Sequence, residues 1–183
     1  MKTPAKHQLN FAGIALPVVA AAFGFIITFN PKVCHADETC SSPYLARIDG
    51  QEEFVYVWTL GVEGLGDGAD KLVTVDVKPG SSTYGKVISS VSVDGRNEAH
   101  HGGFTDDRHQ LWLAGLDTSR IFIFDIHTDP AKPKLAKTID NFAETTGGAV
   151  GPHGAYPLPG RVLIPCLSNA KDKGGRKIGR AHV

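Results

Sequence analysis

A repeat of short strands with a period close to 50 residues constrains this chain of 183 residues more than any other feature. Lys71-Leu-Val-Thr-Val-Asp76-Val77 returns 49 positions on as Arg120-Ile-Phe-Ile-Phe-Asp125-Ile126. Lys86-Val87-Ile88 has a looser echo in Lys137-Thr138-Ile139, and Gln110-Leu111-Trp112-Leu113 has one in Arg161-Val162-Leu163-Ile164. His101-Gly102-Gly103-Phe104 comes back 52 positions later as His153-Gly154-Ala155-Tyr156. A unit of this length made of short strands cannot bury both faces of its own sheet, so it must stack on neighbours, as β-propeller blades do. The expected class is all-β, a β-propeller. Closed propellers need about four to eight blades, and at this period only the first two to three fit here. The chain is therefore expected to be the front part of a longer protein, with assembly of several chains into a homo-oligomer as the other route to a closed ring.

Seven segments read as strands, being short and rich in β-branched and aromatic residues: Phe54 to Leu60, Lys71 to Val77, Val87 to Val93, Leu111 to Leu116, Arg120 to Ile126, Leu135 to Ile139 and Val162 to Leu167. Pro165 weakens the last. Several are apolar on both faces, which suits sheets packed face to face. The Gly-rich stretch from Gly61 to Asp70 could expose backbone amides at Gly64, Gly66 and Gly68, but no helix or Gly-Lys-Ser end follows, so it reads as a loop and not as a nucleotide site. With 19 basic and 19 acidic side chains the net charge is zero, which leaves no global field for nucleic acid or an anionic membrane. A small-molecule partner is expected instead.

Both ends stand apart from the repeat. Lys2 and Lys6 precede an apolar run from Phe11 to Phe29, and Val33-Cys34-His35-Ala36 ends on a small residue, the layout of a signal peptide spanning 1–36. Cleavage after Ala36 would place a mature protein in a bacterial periplasm with no stable membrane association; an uncleaved anchor is the alternative, given the length of the run. Residues 37–176 then hold the propeller part. Lys177 to Val183 resembles the translation of a sequencing-library adapter and is expected to be a non-native tail, so the basic run from Lys171 to Arg180 is no binding patch. Cys40 and Cys166 remain as a possible disulfide, against a buried, unbridged Cys166.

The histidines carry the chemistry. Equivalent places in a repeat occupy equivalent places in space, so His101 and His153 should point into one site, and His100 adjoins it. Neutral imidazole is a ligand for copper, zinc, iron or nickel. Adjacent residues of a regular strand face opposite ways, so His100 and His101 can share one ion only from a loop or strand end, for which Gly102 and Gly103 provide. Glu98, Asp106 and Asp107 are candidate acceptors that could orient the rings. Tyr156 is a candidate pocket residue, and His109 and His127 are expected on the surface. Zinc and copper both accept such ligands, and spacing does not separate them.

Four ordered stretches, Asp37-Glu-Thr-Cys40-Ser-Ser-Pro43-Tyr44, Glu53-Phe-Val-Tyr-Val-Trp-Thr-Leu60-Gly61, Arg96-Asn-Glu98-Ala-His100-His101 and Asp129-Pro-Ala-Lys-Pro-Lys-Leu135, resemble the selenium-binding protein family, and its secreted bacterial methanethiol-oxidising members above all. The resemblance runs through nearly all of the mature chain to Arg176. It implies a propeller of about seven blades with a copper site near its axis. The implied reaction takes methanethiol, O2 and water to formaldehyde, hydrogen sulfide and hydrogen peroxide. His100 and His101 match the family's paired histidines, and His153 the first histidine of its next motif. Tyr156 stands where many members carry a second histidine. Gly85 stands where eukaryotic members carry a cysteine proposed to bind selenium, so selenium is not expected there. No general base is identified. A non-catalytic propeller that binds metal, selenium or a partner protein is the competing expectation.

Overall fold

The computed structural model describes residues 42–171 and, as backbone, 177–182. The expected signal segment 1–36, with Cys34, and the Cys40 end of a possible disulfide lie outside the described residues. Three antiparallel sheets follow one another along the chain. The first holds β1 (Phe54–Thr59), β2 (Lys71–Asp76) and β3 (Val87–Ser92) in the order β1-β2-β3. The second holds β4 (Ala99–Phe104), β5 (Gln110–Gly115), β6 (Arg120–Asp125) and β7 (Lys134–Ile139) in simple sequence order. After a single helical turn, α1 (Phe142–Thr145), come β8 (Ala149–Pro152), β9 (Tyr156–Leu158), β10 (Arg161–Asn169) and β11 (Lys177–His182). In this third sheet β10 lies between β11 and the β8 and β9 pair.

The echoes in the sequence are the equivalent strands of these sheets. β2 and β6 are the Lys71 and Arg120 segments, and β5 and β10 hold the Gln110 and Arg161 pair. β3 and β7 are equivalent strands too, but the looser echo is out of register: Val87 pairs with Val75 as Leu135 pairs with Phe124, so the counterpart of Val87 is Leu135 and not Thr138. Strand alternation then explains why β5 and β6 are apolar on both faces. Leu111, Leu113, Phe122 and Phe124 pack toward the first sheet with Leu72, Val93 and Ile126, joined by Tyr56 and Trp58. Trp112, Ala114, Ile121 and Ile123 pack toward the third with Val162, Ile164 and Cys166, joined by Phe142. The middle sheet is thus the filling between two others, as a propeller blade is. Trp58 closes the first interface: its ring centre lies 5.6 Å from that of Phe122, and its indole N–H donates to the Ala114 carbonyl at 3.0 Å.

The repeated aspartate is a turn-holding residue rather than a chemical one. Asp125 accepts from the backbone N–H of His127 at 2.8 Å and of Thr128 at 3.1 Å, and from the Thr128 hydroxyl at 2.6 Å. Asp76 does the same work after β2, accepting from the Lys78 N–H and from the Ser81 and Thr83 hydroxyls. Hydrogen bonds to hydroxyls, Thr128 for Asp125 and Ser81 for Asp76, are the main cause that holds both carboxyls below the usual carboxylate value of 3.8. A folded-state pKa that is depressed contributes stability above the unfolded value and loses it as pH falls through the folded value. The melting-temperature gap between the wild type and Asp125→Asn is therefore expected to narrow as pH is lowered from 7 toward 3. A gap that does not change with pH would show that the charge contributes nothing.

Pro165 does not break β10, because it lies between the residues paired with β9 (Arg161 to Leu163) and those paired with β8 (Cys166 to Asn169). Its carbonyl accepts from His153 N–H at 2.8 Å, so its missing N–H faces the same interrupted stretch of ladder. The Gly-rich segment is a loop joining β1 to β2, exposed from Val62 to Asp67 and buried at Gly61, Ala69 and Asp70, with no helix after it. The backbone of 177–182, the expected non-native tail, pairs with β10 as β6 pairs with β5. Cys166 is buried in the core between the second and third sheets.

Candidate metal centre

Two strand irregularities build the site. In β4 the pairing with β5 runs from Ala99 opposite Gly115 to Gly102 opposite Leu113, so two residues on one strand face the single Ala114 on the other and the register shifts between them. His100 and His101 occupy that bulge. In the next sheet the matching place is the break between β8 and β9, and His153 stands there. A bulge twists the strand and abolishes strict alternation, which lets neighbouring side chains aim the same way. His100 and His101 therefore face one site from within a strand, where a loop or strand end was expected.

The glycines after the histidines let the strands close up. A Cβ on Gly103 would stand 2.2 Å from the Ala155 carbonyl oxygen, and one on Gly102 would stand 2.6 Å from that of Trp112. Gly103 admits the neighbouring blade, and Gly102 admits the neighbouring strand of its own. On the other side of β4, Asp70 is fully buried and its carboxylate accepts from Gly61 N–H at 2.7 Å and Asn97 N–H at 3.0 Å. It fixes the turn that leads into β4 and so the position of His100.

The three rings converge. Their centres lie 4.6 Å (His100 to His101), 4.6 Å (His100 to His153) and 4.7 Å (His101 to His153) apart, and one ligand nitrogen from each lies within 4.8 Å of the others. An ion bound tetrahedrally at about 2 Å needs nitrogens about 3.3 Å apart, which side-chain torsions can supply. Three neutral imidazoles without a carboxylate form a donor set that copper and zinc accept and that magnesium and calcium do not favour. Burial, then the nearby His101 and His153, holds the His100 imidazole below its ordinary value of 6.5, so it stands as a neutral ligand at pH 7. A cavity of about 770 Å³ opens beside His100 and His101, and Tyr56, Trp58, Phe104 and Leu113 are among its lining residues.

The acids expected around the rings are engaged elsewhere. Asp106 accepts from Gly160 N–H at 3.0 Å, and Asp107 from the Thr105 hydroxyl at 2.6 Å, both in the turn at the far end of β4. Glu98, just before β4, takes a left-handed φ of 59° and shares a hydrogen bond with Asp117, whose proximity together with burial raises its carboxyl pKa. Among the described residues none of the three accepts a hydrogen bond from the imidazole of His100, His101 or His153. Tyr156 opens β9 opposite Leu163 and does not border the cavity. Two features escaped the sequence reading: the bulge, which no residue type announces, and contact between His109 and His127.

Three stacked antiparallel sheets with imidazoles converging from two consecutive inner strands define part of a β-propeller with a metal-competent site. The chain belongs to the 56 kDa selenium binding protein family, whose pattern matches residues 34–180. It is 62% identical over 157 residues to a methanethiol oxidase of Ruegeria pomeroyi, covering 86% of this chain and 36% of that protein. It is 56% identical over 161 residues to one of a Hyphomicrobium species (86% and 35%), and 35% identical over 165 residues to selenium-binding protein 2 of Arabidopsis thaliana (82% and 33%). The solved structure of a hypothetical selenium-binding protein from Sulfolobus tokodaii superposes with a TM-score of 0.62 at 26% identity, over 72% of this chain and 32% of that one. The chain thus spans about a third of the length of these relatives.

Proposed function

We propose that His100, His101 and His153 hold copper, and that the full-length protein oxidises methanethiol with O2 and water to formaldehyde, hydrogen sulfide and hydrogen peroxide. The observation that carries this reading is the convergence of three imidazoles from two blades in a chain so similar to proteins named methanethiol oxidase. The reaction balances: the methyl carbon loses two electrons, O2 gains them and leaves as peroxide, and water supplies the oxygen of formaldehyde. Bound copper would supply a Lewis acid that lowers the thiol's pKa and an acceptor for single electrons. The imidazoles would serve as the ligands, and Tyr56, Trp58, Phe104 and Leu113 in the adjoining cavity offer apolar contact to a small methylated thiol.

The full-length protein incubated with methanethiol and O2 is expected to release sulfide and peroxide in equal amounts and to contain copper. Copper bound without either product would sink the oxidase reading in favour of a non-catalytic metal-binding propeller. We also propose that residues 1–36 direct export to the periplasm and are removed. Mass spectrometry of the protein from a periplasmic fraction is expected to find Asp37 at the N-terminus; an intact N-terminus in the membrane fraction would contradict this. Among the described residues no helix is long and apolar enough to cross a membrane.

A further inference from the structure

Outside the three-histidine cluster, the described residues bring one other pair of imidazoles together. His109 and His127 lie with ring centres 3.8 Å apart, inclined by 33°. Their backbones are tied to each other and to nearby acids: Ile126 N–H donates to the His109 carbonyl at 3.1 Å, His127 N–H to Asp125 at 2.8 Å, and His109 N–H to Asp107 at 2.9 Å. The second oxygen of Asp107 lies 3.1 Å from His109 Nδ1.

A carboxylate at Nδ1 keeps the proton on that nitrogen and leaves the Nε2 lone pair available, which is how metal-bound histidines are commonly held. We propose that His109 and His127 form a second metal site, for an imidazole-preferring divalent transition ion such as Zn2+ or Cu2+, with Asp107 positioning the His109 ring. The blade framework does not require imidazoles there. The position equivalent to His109 in the third sheet is Gly160, and that equivalent to His127 in the first is Lys78. The site is also independent of the three-histidine cluster. His109 precedes β5 at one end, while Gly115 at the other end pairs with Ala99 beside the cluster, and six strand residues span about 20 Å. Half of the His109 side chain is exposed, so water completes the coordination and the ion is held more weakly than by three converging rings.

Calorimetric titration of the metal-free full-length protein with Zn2+ tests this. A class of binding is expected that His109→Ala and His127→Ala each weaken at least tenfold, that Asp107→Asn weakens severalfold, and that His101→Ala leaves unchanged. Both rings lie at the surface, so thermal melts without metal should match the wild type and show that the variants fold. Imidazole resonances of His109 and His127 are expected to shift on adding Zn2+ to the His101→Ala variant. Zn2+ binding that is the same in the wild type and in a folded His109→Ala/His127→Ala double variant would overturn the proposal.

Discussion

His101→Ala in the full-length protein is expected to lower copper occupancy and thiol oxidation together, by ~10²-fold or more, since even the loss of a group that merely orients a ligand costs about 10 to 100-fold. The ring lies 4.6 Å from that of His100 and 4.7 Å from that of His153, so its removal leaves two imidazoles that no third one braces. The fold should survive. His101 is exposed, its side chain makes no hydrogen bond among the described residues, and an alanine at an exposed bulge position removes no packing contact of the core. A melting curve close to the wild type, with copper absent by elemental analysis, is the expected pairing. Full copper and full turnover in the variant would remove His101 from the site.

Gly103→Ala is expected to cost about 2 kcal/mol and to weaken metal binding as well, although the residue touches no metal. The new methyl would meet the Ala155 carbonyl oxygen at 2.2 Å, and a backbone atom has no rotamer to escape by. The inner strands of two blades must then move apart by about 1 Å. Gly103 lies two residues after His101, and Ala155 two after His153, so the same separation opens the distance between these rings. Thermal melting and copper affinity of the full-length variant check both parts. A loss of stability with unchanged copper affinity would mean that the rings tolerate the shift. Unchanged values of both would mean that the blades are less close than the structure places them.

These variants also mark where the sequence was readable. Strands β1, β2, β3, β5, β6, β7 and β10 stand within a residue or two of their expected bounds, because apolar runs such as Arg120 to Ile126 must be buried on both faces. The innermost strands were not legible. His100-His101-Gly102-Gly103 has almost no intrinsic preference for a strand, and β4 exists because the free edge of β5 is there to pair with it. The same holds for β8 and β9, where Gly151, His153 and Gly154 interrupt any pattern. Asp106 and Asp107, near the histidines in sequence, are separated from them by the length of β4 and close a turn instead.

The contact between His109 and His127 shows the converse. They stand eighteen positions apart, and neither belongs to a motif. They meet because β5 and β6 form a hairpin whose open end brings the residues before one strand and after the other side by side. Periodicity cannot show such a pairing, since register is a property of two strands and not of one.

The sequence alone determined the blade repeat, the all-β class and the three histidines of the cluster, because burial on both faces and a recurring His-Gly element leave marks in a single chain. Only the tertiary structure decided that His100 and His101 can act together. That required a bulge in β4 matched by a break between β8 and β9, with Gly103 letting the two blades touch, and these arise from pairing between strands distant in sequence.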